Sequence, residues 1–261
     1  MTMTSLDLLA VAGATFLAGG INSLAGGGTL ISFPVLIAVG VPALPANITN
    51  TVSLCPGYLS GAVAQSDDLA SQKGRARRLA VAGLLGGVIG SLLLEATPNS
   101  DFHTAVPWLI LISCALLVTQ NRVRAWVNER AERSTAPPAS SIRRDPSIGA
   151  ALAVFAAAIY GGFFGAGLGI MLLGLLGLFT DDSLRRVNAL KQVLSLVINV
   201  CAALIFSVSG NVRWELVPIM AIAALLGGYA GGRLTTFVNP TALRWTVVAF
   251  GLIVALKFWL S

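Results

Sequence analysis

Long apolar segments follow one another along almost the whole chain, and only short polar segments separate them. A helix needs about 20 predominantly apolar residues to cross a bilayer. The pattern therefore predicts an all-α integral membrane protein with about ten transmembrane helices and no room for a soluble domain. The predicted spans are Leu6 to Ile21, Thr29 to Val41, Asn47 to Ala64, Leu79 to Ala96, Val106 to Gln120, Ile148 to Phe164, Gly169 to Phe179, Val187 to Val208, Leu216 to Thr236 and Thr241 to Leu260.

Two of these spans, Thr29 to Val41 and Gly169 to Phe179, are short for a full crossing. We expect them to be broken or half-membrane helices, which transporters use near their binding sites. The first apolar segment has no Lys or Arg before it. It is therefore expected to stay in the protein as a span, because a cleaved signal peptide has a basic start.

The sequence contains an internal repeat. A gapless shift of 141 residues superposes Gly20 on Gly161, Gly28 on Gly169, Asn47 on Asn188 and Gly90 on Gly231. We predict two transmembrane repeats, residues 1–120 and 146–261, joined by a cytoplasmic linker at 121–145 that contains a Pro-Pro pair and six arginines. Each repeat has five predicted spans, which is an odd number, so the repeats are expected to be inverted relative to each other.

The charges agree with a membrane protein and set its orientation. Charged residues make up only 11% of the chain, and the formal net charge is +6. The basic residues lie in loops without interleaved aromatic residues, so we interpret them as topology signals and not as a nucleic-acid surface. With both termini outside, the inside loops carry the basic residues of 73–78, the linker, 185–186, 233 and 244, and the outside carries only Arg213 and Lys257.

Two glycine-rich segments, LAGGGT at 24–29 and GGFFGAGLG at 161–169, interrupt the apolar pattern where the short spans begin. If helices break there, freed backbone N–H groups and the positive end of a helix dipole form an anion site that glycine leaves open. The alternative is that glycine only allows close helix packing. We prefer that alternative for the spaced pairs Gly57/Gly61, Gly83/Gly87, Gly86/Gly90 and Gly227/Gly231.

Polar residues accompany both glycine segments. Asn22 and Ser23 precede the first one, NITNTVS at 47–53 opens the third span, and NALKQVLS at 188–195 opens the eighth. Asn188, Lys191 and Gln192 recur at helical spacing and share one face. Lys191 is the one Lys or Arg that lies well inside a predicted span, so it is a candidate for binding substrate charge. The alternative is that its side chain snorkels to the membrane interface.

The acidic residues all lie in loops or at span ends. Cation transporters and proton relays usually place Asp or Glu within the membrane, so an anion is the predicted substrate. No cofactor or metal is predicted, since Cys55, Cys114 and Cys201 lie in separate segments with no nearby His. No enzymatic activity is predicted either, because the chain has no HExxH or GxSxG motif and no paired intramembrane carboxylates.

The segments GGINSLAGGGTLISFPVLIAVGVPALPANITNTVSL, GGFFGAGLGIMLLGLL and RRVNALKQVLSLVINVCAAL resemble the TauE/SafE sulfite exporter family of bacterial and archaeal inner-membrane permeases. The resemblance covers essentially the whole chain. It implies transport of small sulfur-containing anions such as sulfite, sulfoacetate and other organosulfonates, often outward, and a location in the inner membrane. It also implies that Gly26–Gly28, Asn47, Gly165–Gly169 and Asn188 belong to the translocation region.

The resulting hypothesis is a secondary transporter that works by alternating access around a central anion site. An anion channel, a transporter of another small organic anion and a structural assembly factor are the alternatives. The expected partners are the small anion and the lipid bilayer, not nucleic acid, and a homodimer is left open. The candidate binding residues are Asn22, Ser23, Gly26, Gly27, Gly28, Thr29, Asn47, Asn50, Thr51, Gly165, Gly167, Gly169, Asn188, Lys191 and Gln192.

Overall fold

Helices make up most of the described part of the protein. The computed structural model describes residues 3–24, 26–133, 147–180, 182–233 and 240–260, and no strand occurs within these ranges. The helices are α1 Ser5–Leu24, α2 Thr29–Ala38, α3 Ala43–Ala64, α4 Ser66–Ala70, α5 Lys73–Glu95, α6 Asn99–Arg133, α7 Ile148–Phe163, α8 Leu168–Phe179, α9 Leu184–Phe206, α10 Val217–Arg233 and α11 Pro240–Leu260. The predicted all-α fold is confirmed, and each predicted span coincides with a helix apart from differences at its ends.

Helix α6 differs most from the predicted span Val106 to Gln120. It begins at Asn99 and continues to Arg133, into the segment that the sequence assigns to the linker. Ala, Arg and Glu are strong helix formers and follow Gln120 in close succession, so the helix does not end with the apolar segment. The rest of the predicted linker, residues 134–145, lies outside the described residues, as do residues 234–236 at the end of the ninth predicted span.

The surface of the bundle is apolar. Helices α1, α5, α6 and α9 are long and apolar enough to cross a membrane, and α2, α7, α8, α10 and α11 contain shorter apolar stretches. Many large apolar side chains point outward, among them those of Leu59, Val63, Leu85, Leu204 and Ile253. A soluble monomer rarely exposes so much contiguous apolar surface, whereas a lipid environment requires it.

The bundle has two chemically different ends. One end, which we call the basic end, contains ion pairs. Arg75 at the start of α5 pairs with Asp182, which precedes α9, and Arg185 pairs with Asp68 of α4. The opposite end, here called the terminal end, contains Met3 and Arg213, which line one surface pocket, and Phe258 of α11, which packs on His103. The described parts of both chain ends therefore lie opposite the basic end.

Two helix pairs turn inside the bundle. Helices α1 and α2 form a hairpin whose outer ends meet at the terminal end, where Met3 and Val39 line the same pocket. Helices α7 and α8 form a second hairpin from the basic end, where a Cβ on Gly149 would lie 3.1 Å from the Phe179 ring. The inner arms α2 and α8 have 10 and 12 residues. They extend for only about 15–18 Å, roughly half of the hydrocarbon thickness.

Glycines let helices of the two predicted repeats pack against each other. A Cβ on Gly86 or Gly90 of α5 would overlap backbone carbonyls of α7, and a Cβ on Gly227 or Gly231 of α10 would overlap those of α1. Gly57 approaches α10 in the same way, with its Cβ position 2.8 Å from the Ala224 carbonyl oxygen. The close-packing interpretation is confirmed for these glycines, as small residues permit such backbone contact.

Candidate functional site

The two glycine segments meet inside the bundle. A Cβ on Gly26 would lie 2.6 Å from the Gly169 Cα, and a Cβ on Gly169 would lie 2.7 Å from the Gly26 Cα. The backbone of Gly26 has φ +86°, in the left-handed region that favours glycine. No side chain fits at this contact, so the backbones of the two hairpin tips touch directly at Gly26 and Gly169.

The other glycines of the two segments do not share this contact. Gly27 and Gly167 face Leu117 and Leu116 of α6. Gly165 turns the chain after α7, with φ +77°, and its amide donates to the Tyr160 carbonyl oxygen. The Gly28 amide donates to Asn22 Oδ1 at 2.7 Å, and Thr29 begins α2 as a buried residue. The Gly28 N–H, one of the groups expected to bind an anion, is therefore bonded within the protein.

Asn47 and Asn188 bond to helix ends of the opposite predicted repeat. Asn188 Nδ2 donates to the Ser23 carbonyl oxygen at 3.2 Å, at the end of α1. Asn47 Nδ2 donates to the Phe163 carbonyl oxygen at 3.0 Å, at the end of α7. Carbonyl groups in the last turn of a helix have no partner within that helix. Each asparagine therefore satisfies a carbonyl that becomes free where a hairpin turns.

The structure does not bring these two asparagines together. Asn47 is the fifth residue of α3 and Asn188 the fifth of α9, and those helices begin at opposite ends of the bundle. Thr51 donates to the Asn47 carbonyl oxygen, so its hydroxyl hydrogen is used as well. Asn50 is buried, and its Oδ1 finds no partner among the described residues.

Lys191 lies beside the contact of the two hairpins. Its Nζ donates to the Asn22 carbonyl oxygen at 3.1 Å, and a Cβ on Gly169 would lie 3.6 Å from its Cδ. The residue is only 1% exposed, which argues against the snorkelling alternative. Among the described residues no carboxylate lies within ion-pair distance of it. The negative dipole end of α1 faces the ammonium group, and two of its three N–H groups have no acceptor among the described residues.

Unpaired polar groups surround the Lys191 turn of α9. Gln192 Nε2 and Oε1, Ser195 Oγ, Ser23 Oγ and Asn22 Nδ2 are buried and have no hydrogen-bond partner within the described part of the chain. Gly61 of α3 faces this cluster, since a Cβ there would overlap Gln192 Nε2 and lie 3.0 Å from Ser23 Oγ. Buried polar atoms of proteins nearly always have partners. A cation and several neutral donors converge here, a combination that suits a small oxyanion.

Sequence reasoning missed a charged cluster at the basic end. Arg75 Nη1 lies 2.6 Å from Asp182 Oδ2, and both side chains are buried. Arg186 Nε lies 3.3 Å from the other oxygen, Asp182 Oδ1. The sequence treated the arginines as topology signals and Asp182 as a loop residue. The four-residue spacing of Asp182 and Arg186 at the start of a helix was the available signal.

Comparisons with known proteins show the family of this chain. The model of the family described as "Sulfite exporter TauE/SafE" matches residues 11–258. The chain belongs to the sulfite exporter TauE/SafE family. A "Probable membrane transporter protein" of Haemophilus influenzae is 26% identical over 255 residues, which cover 97% of this chain and 94% of the relative. The "Probable membrane transporter protein YfcA" of Escherichia coli K12 is 25% identical over 245 residues, with coverages of 92% and 85%.

A third relative, the "Probable membrane transporter protein ORF9" of a Sinorhizobium species, is 25% identical, with coverages of 94% and 89%. No solved structure matches the chain. The match to the TauE/SafE family extends over both glycine segments and both asparagines. Together with the apolar helices, it indicates a multi-pass membrane transporter.

Proposed function

We propose that the protein exports a small sulfur-containing oxyanion, such as sulfite or an organosulfonate, by alternating access around Lys191 and Gln192. The observation that carries this proposal is the buried Lys191 side chain, which has no carboxylate partner among the described residues. An unpaired buried charge is strongly unfavourable, so the site favours a ligand of opposite charge. The second oxygen-binding element is the unpaired Nε2 of Gln192 with the neighbouring Ser23 hydroxyl.

The proposed site differs in detail from the sequence hypothesis. Asn47, Thr51 and Asn188 use their donors within the protein, so we assign them to the hairpin ends and not to the first contacts with the anion. Lys191, Gln192, Ser23 and Asn22 take the contact role. Neutral donors around one cation suit a substrate that must also leave, because very tight binding prevents release.

We also propose that the two repeats are inverted, with the basic end in the cytoplasm and the protein in the bacterial inner membrane. Two observations support this. Hairpin α1–α2 enters from the terminal end and hairpin α7–α8 from the basic end. The packing is also reciprocal: Gly86 and Gly90 contact α7, while their equivalents under the 141-residue shift, Gly227 and Gly231, contact α1. The positive-inside rule then places the basic end in the cytoplasm.

The test is sulfite flux in proteoliposomes containing wild type or Lys191→Met. Methionine keeps the length of the side chain and removes its charge. The expected result is loss of saturable flux and of the sulfite-induced rise in Tm, since a ligand that binds the native state stabilises it. Lys257→Met is the matched control, because Lys257 lies in the last turn of α11 and is exposed. Wild-type flux in Lys191→Met would refute the site, and flux that never saturates would refute alternating access.

A further inference from the structure

We propose that Arg186, with Arg75 and Asp182, forms a second oxyanion site at the basic end, where an arriving anion competes with the Asp182 carboxylate for the guanidinium groups. The proposal rests on the proposed function in one respect, namely that the substrate is an oxyanion. The site would hold the anion before or after its stay at Lys191.

Among the described residues, the side chains of Arg75 and Arg186 both approach the carboxylate of Asp182. The Asp182 carboxylate contacts Arg75 Nη1 at 2.6 Å with one oxygen and Arg186 Nε at 3.3 Å with the other. The side chains of Arg75 and Asp182 are 6% and 4% exposed, and that of Arg186 is 16% exposed. Asp68 lies 3.3 Å from Arg185 instead. Arg75 and Arg186 thus both contact the carboxylate of Asp182 within the described part of the chain.

Arg186 has unused hydrogen-bonding capacity. Its Nε and Nη2 are buried and form no hydrogen bond with the described residues, because the approach of Nε to Asp182 lacks hydrogen-bond geometry. Leaving buried donors unpaired is unfavourable. A guanidinium group presents two parallel N–H groups that match two oxygens of an oxyanion. Sulfite and sulfonates offer that pair of oxygens, and so does the carboxylate that they would replace.

The position of the cluster fits a step on the path to Lys191. Arg186 and Lys191 belong to the same helix, α9, and are separated by about 7.5 Å along its axis. The backbone at this point is held firmly, since Gln72 Nε2 donates to the Arg186 carbonyl oxygen at 2.7 Å. The guanidinium group thus belongs to a fixed helix start, about 7.5 Å before Lys191 along the helix axis.

The first experiment compares Arg186→Gln with Arg185→Gln. Both variants lose one positive charge at the same helix start, but the Arg185 side chain is 83% exposed. Initial rates of sulfite flux are measured in proteoliposomes against the sulfite concentration on the basic side. The KM of Arg186→Gln is expected to rise about tenfold, the loss of roughly one charge-assisted hydrogen bond, and that of Arg185→Gln to stay within about twofold. Equal KM values in the two variants would overturn the proposal.

The second experiment detects the site without transport. Asp182→Asn removes the competing carboxylate and leaves both arginines, so its Tm in chloride should fall and sulfite at equal ionic strength should restore it. In the Lys191→Met background, sulfite should still raise the Tm of Asp182→Asn, and adding Arg186→Gln should abolish that rise. Equal sulfite effects with and without Arg186 would refute the second site. If Asp182→Asn does not fold, the comparison is made with Lys191→Met alone and with Lys191→Met/Arg186→Gln.

Failure of this proposal and failure of the proposed function give different results. If Lys191→Met keeps wild-type flux, the central site is wrong, and the Arg186 to Arg185 comparison still decides the second site. If the wild type moves no sulfite, sulfite-dependent stabilisation that requires Arg186 would support the second site, and its absence would overturn it.

Discussion

Gly61→Ala tests whether the polar cluster around Gln192 binds the substrate. Gly61 belongs to α3, and its missing side chain leaves the space that Gln192 Nε2 and Ser23 Oγ occupy. A methyl group at this position overlaps the Gln192 amide. The atoms that must move are the ends of two side chains and not a backbone, so the helices can keep their places.

The size of the expected change in KM follows from the contact distances around Gly61. The new Cβ would lie 3.0 Å from Ser23 Oγ and closer still to Gln192 Nε2, whereas ordinary contacts of carbon with other heavy atoms begin near 3.5 Å. The Gln192 amide must therefore shift by on the order of 1 Å, enough to lengthen a hydrogen bond beyond its useful range. We expect the KM for sulfite to rise about tenfold, as for one lost hydrogen bond to a charged group.

The stability of Gly61→Ala should change little. Alanine favours a helix over glycine by up to about 1 kcal/mol, and this gain offsets part of the displacement of Gln192. The assay measures sulfite flux and Tm on the same preparation. Gly13→Ala in α1 is the matched control, because nothing lies within 4 Å of the Cβ position of Gly13. An unchanged KM in Gly61→Ala, with Tm near that of the wild type, would show that Gln192 does not contact the substrate.

Three further predictions concern helix ends and helix packing. Asn188→Ala and Asn47→Ala each leave a buried carbonyl without its partner, so each should lower the unfolding free energy by about 1–3 kcal/mol, measured as a lower Tm without sulfite; unchanged Tm values would argue against this end-capping role. Gly227→Ala places a methyl group against the Phe16 backbone, so folded protein should be lost in size-exclusion chromatography, while Gly13→Ala elutes as wild type; a monodisperse Gly227→Ala peak would contradict the packing. Tyr160 Oη donates to the Ala166 carbonyl oxygen at 2.6 Å, and Ser113 Oγ, which also lies 2.7 Å from the Leu109 carbonyl oxygen, is 2.9 Å from the same Ala166 oxygen. The Ser113 hydroxyl can turn to Ala166 when the tyrosine hydroxyl is removed, so Tyr160→Phe should lower the Tm by only a few degrees, and a loss of folding would show that Ser113 does not substitute.

The periodic and compositional features of the fold could be read from the sequence. Apolar segments set the helices because a lipid-exposed backbone has to satisfy its own hydrogen bonds. The short spans at Thr29 and Gly169 were correctly predicted as short helices, and most of the packing glycines were recognised from their spacing. Gly61 was also assigned to packing, but it faces the polar side chains of Gln192 and Ser23. The candidate site was predicted in part, since Lys191 was singled out as a polar residue in an apolar segment.

The roles of individual polar atoms could not be read from the sequence. Asn47 and Asn188 were expected to face the substrate, but their amide groups donate to carbonyl oxygens 116 and 165 residues away in the chain. Arg75 and Asp182 are 107 residues apart and form a buried pair. Such partners depend on which helix ends meet, and local periodicity contains no information on this.

From the sequence alone we predicted a lipid environment, an all-helical fold with about ten spans and Lys191 inside one of them, while the short helix α4 was missed and the burial of Lys191 was left open. Hydropathy and helix periodicity suffice for such predictions, because both depend on residues that are neighbours in the chain. Only the tertiary structure decided that the two hairpin tips touch at Gly26 and Gly169, that Gln192 lies over Gly61, and that Arg186 has donors beside Asp182 without a partner among the described residues. These contacts join distant segments, and their distances come from the packing of whole helices.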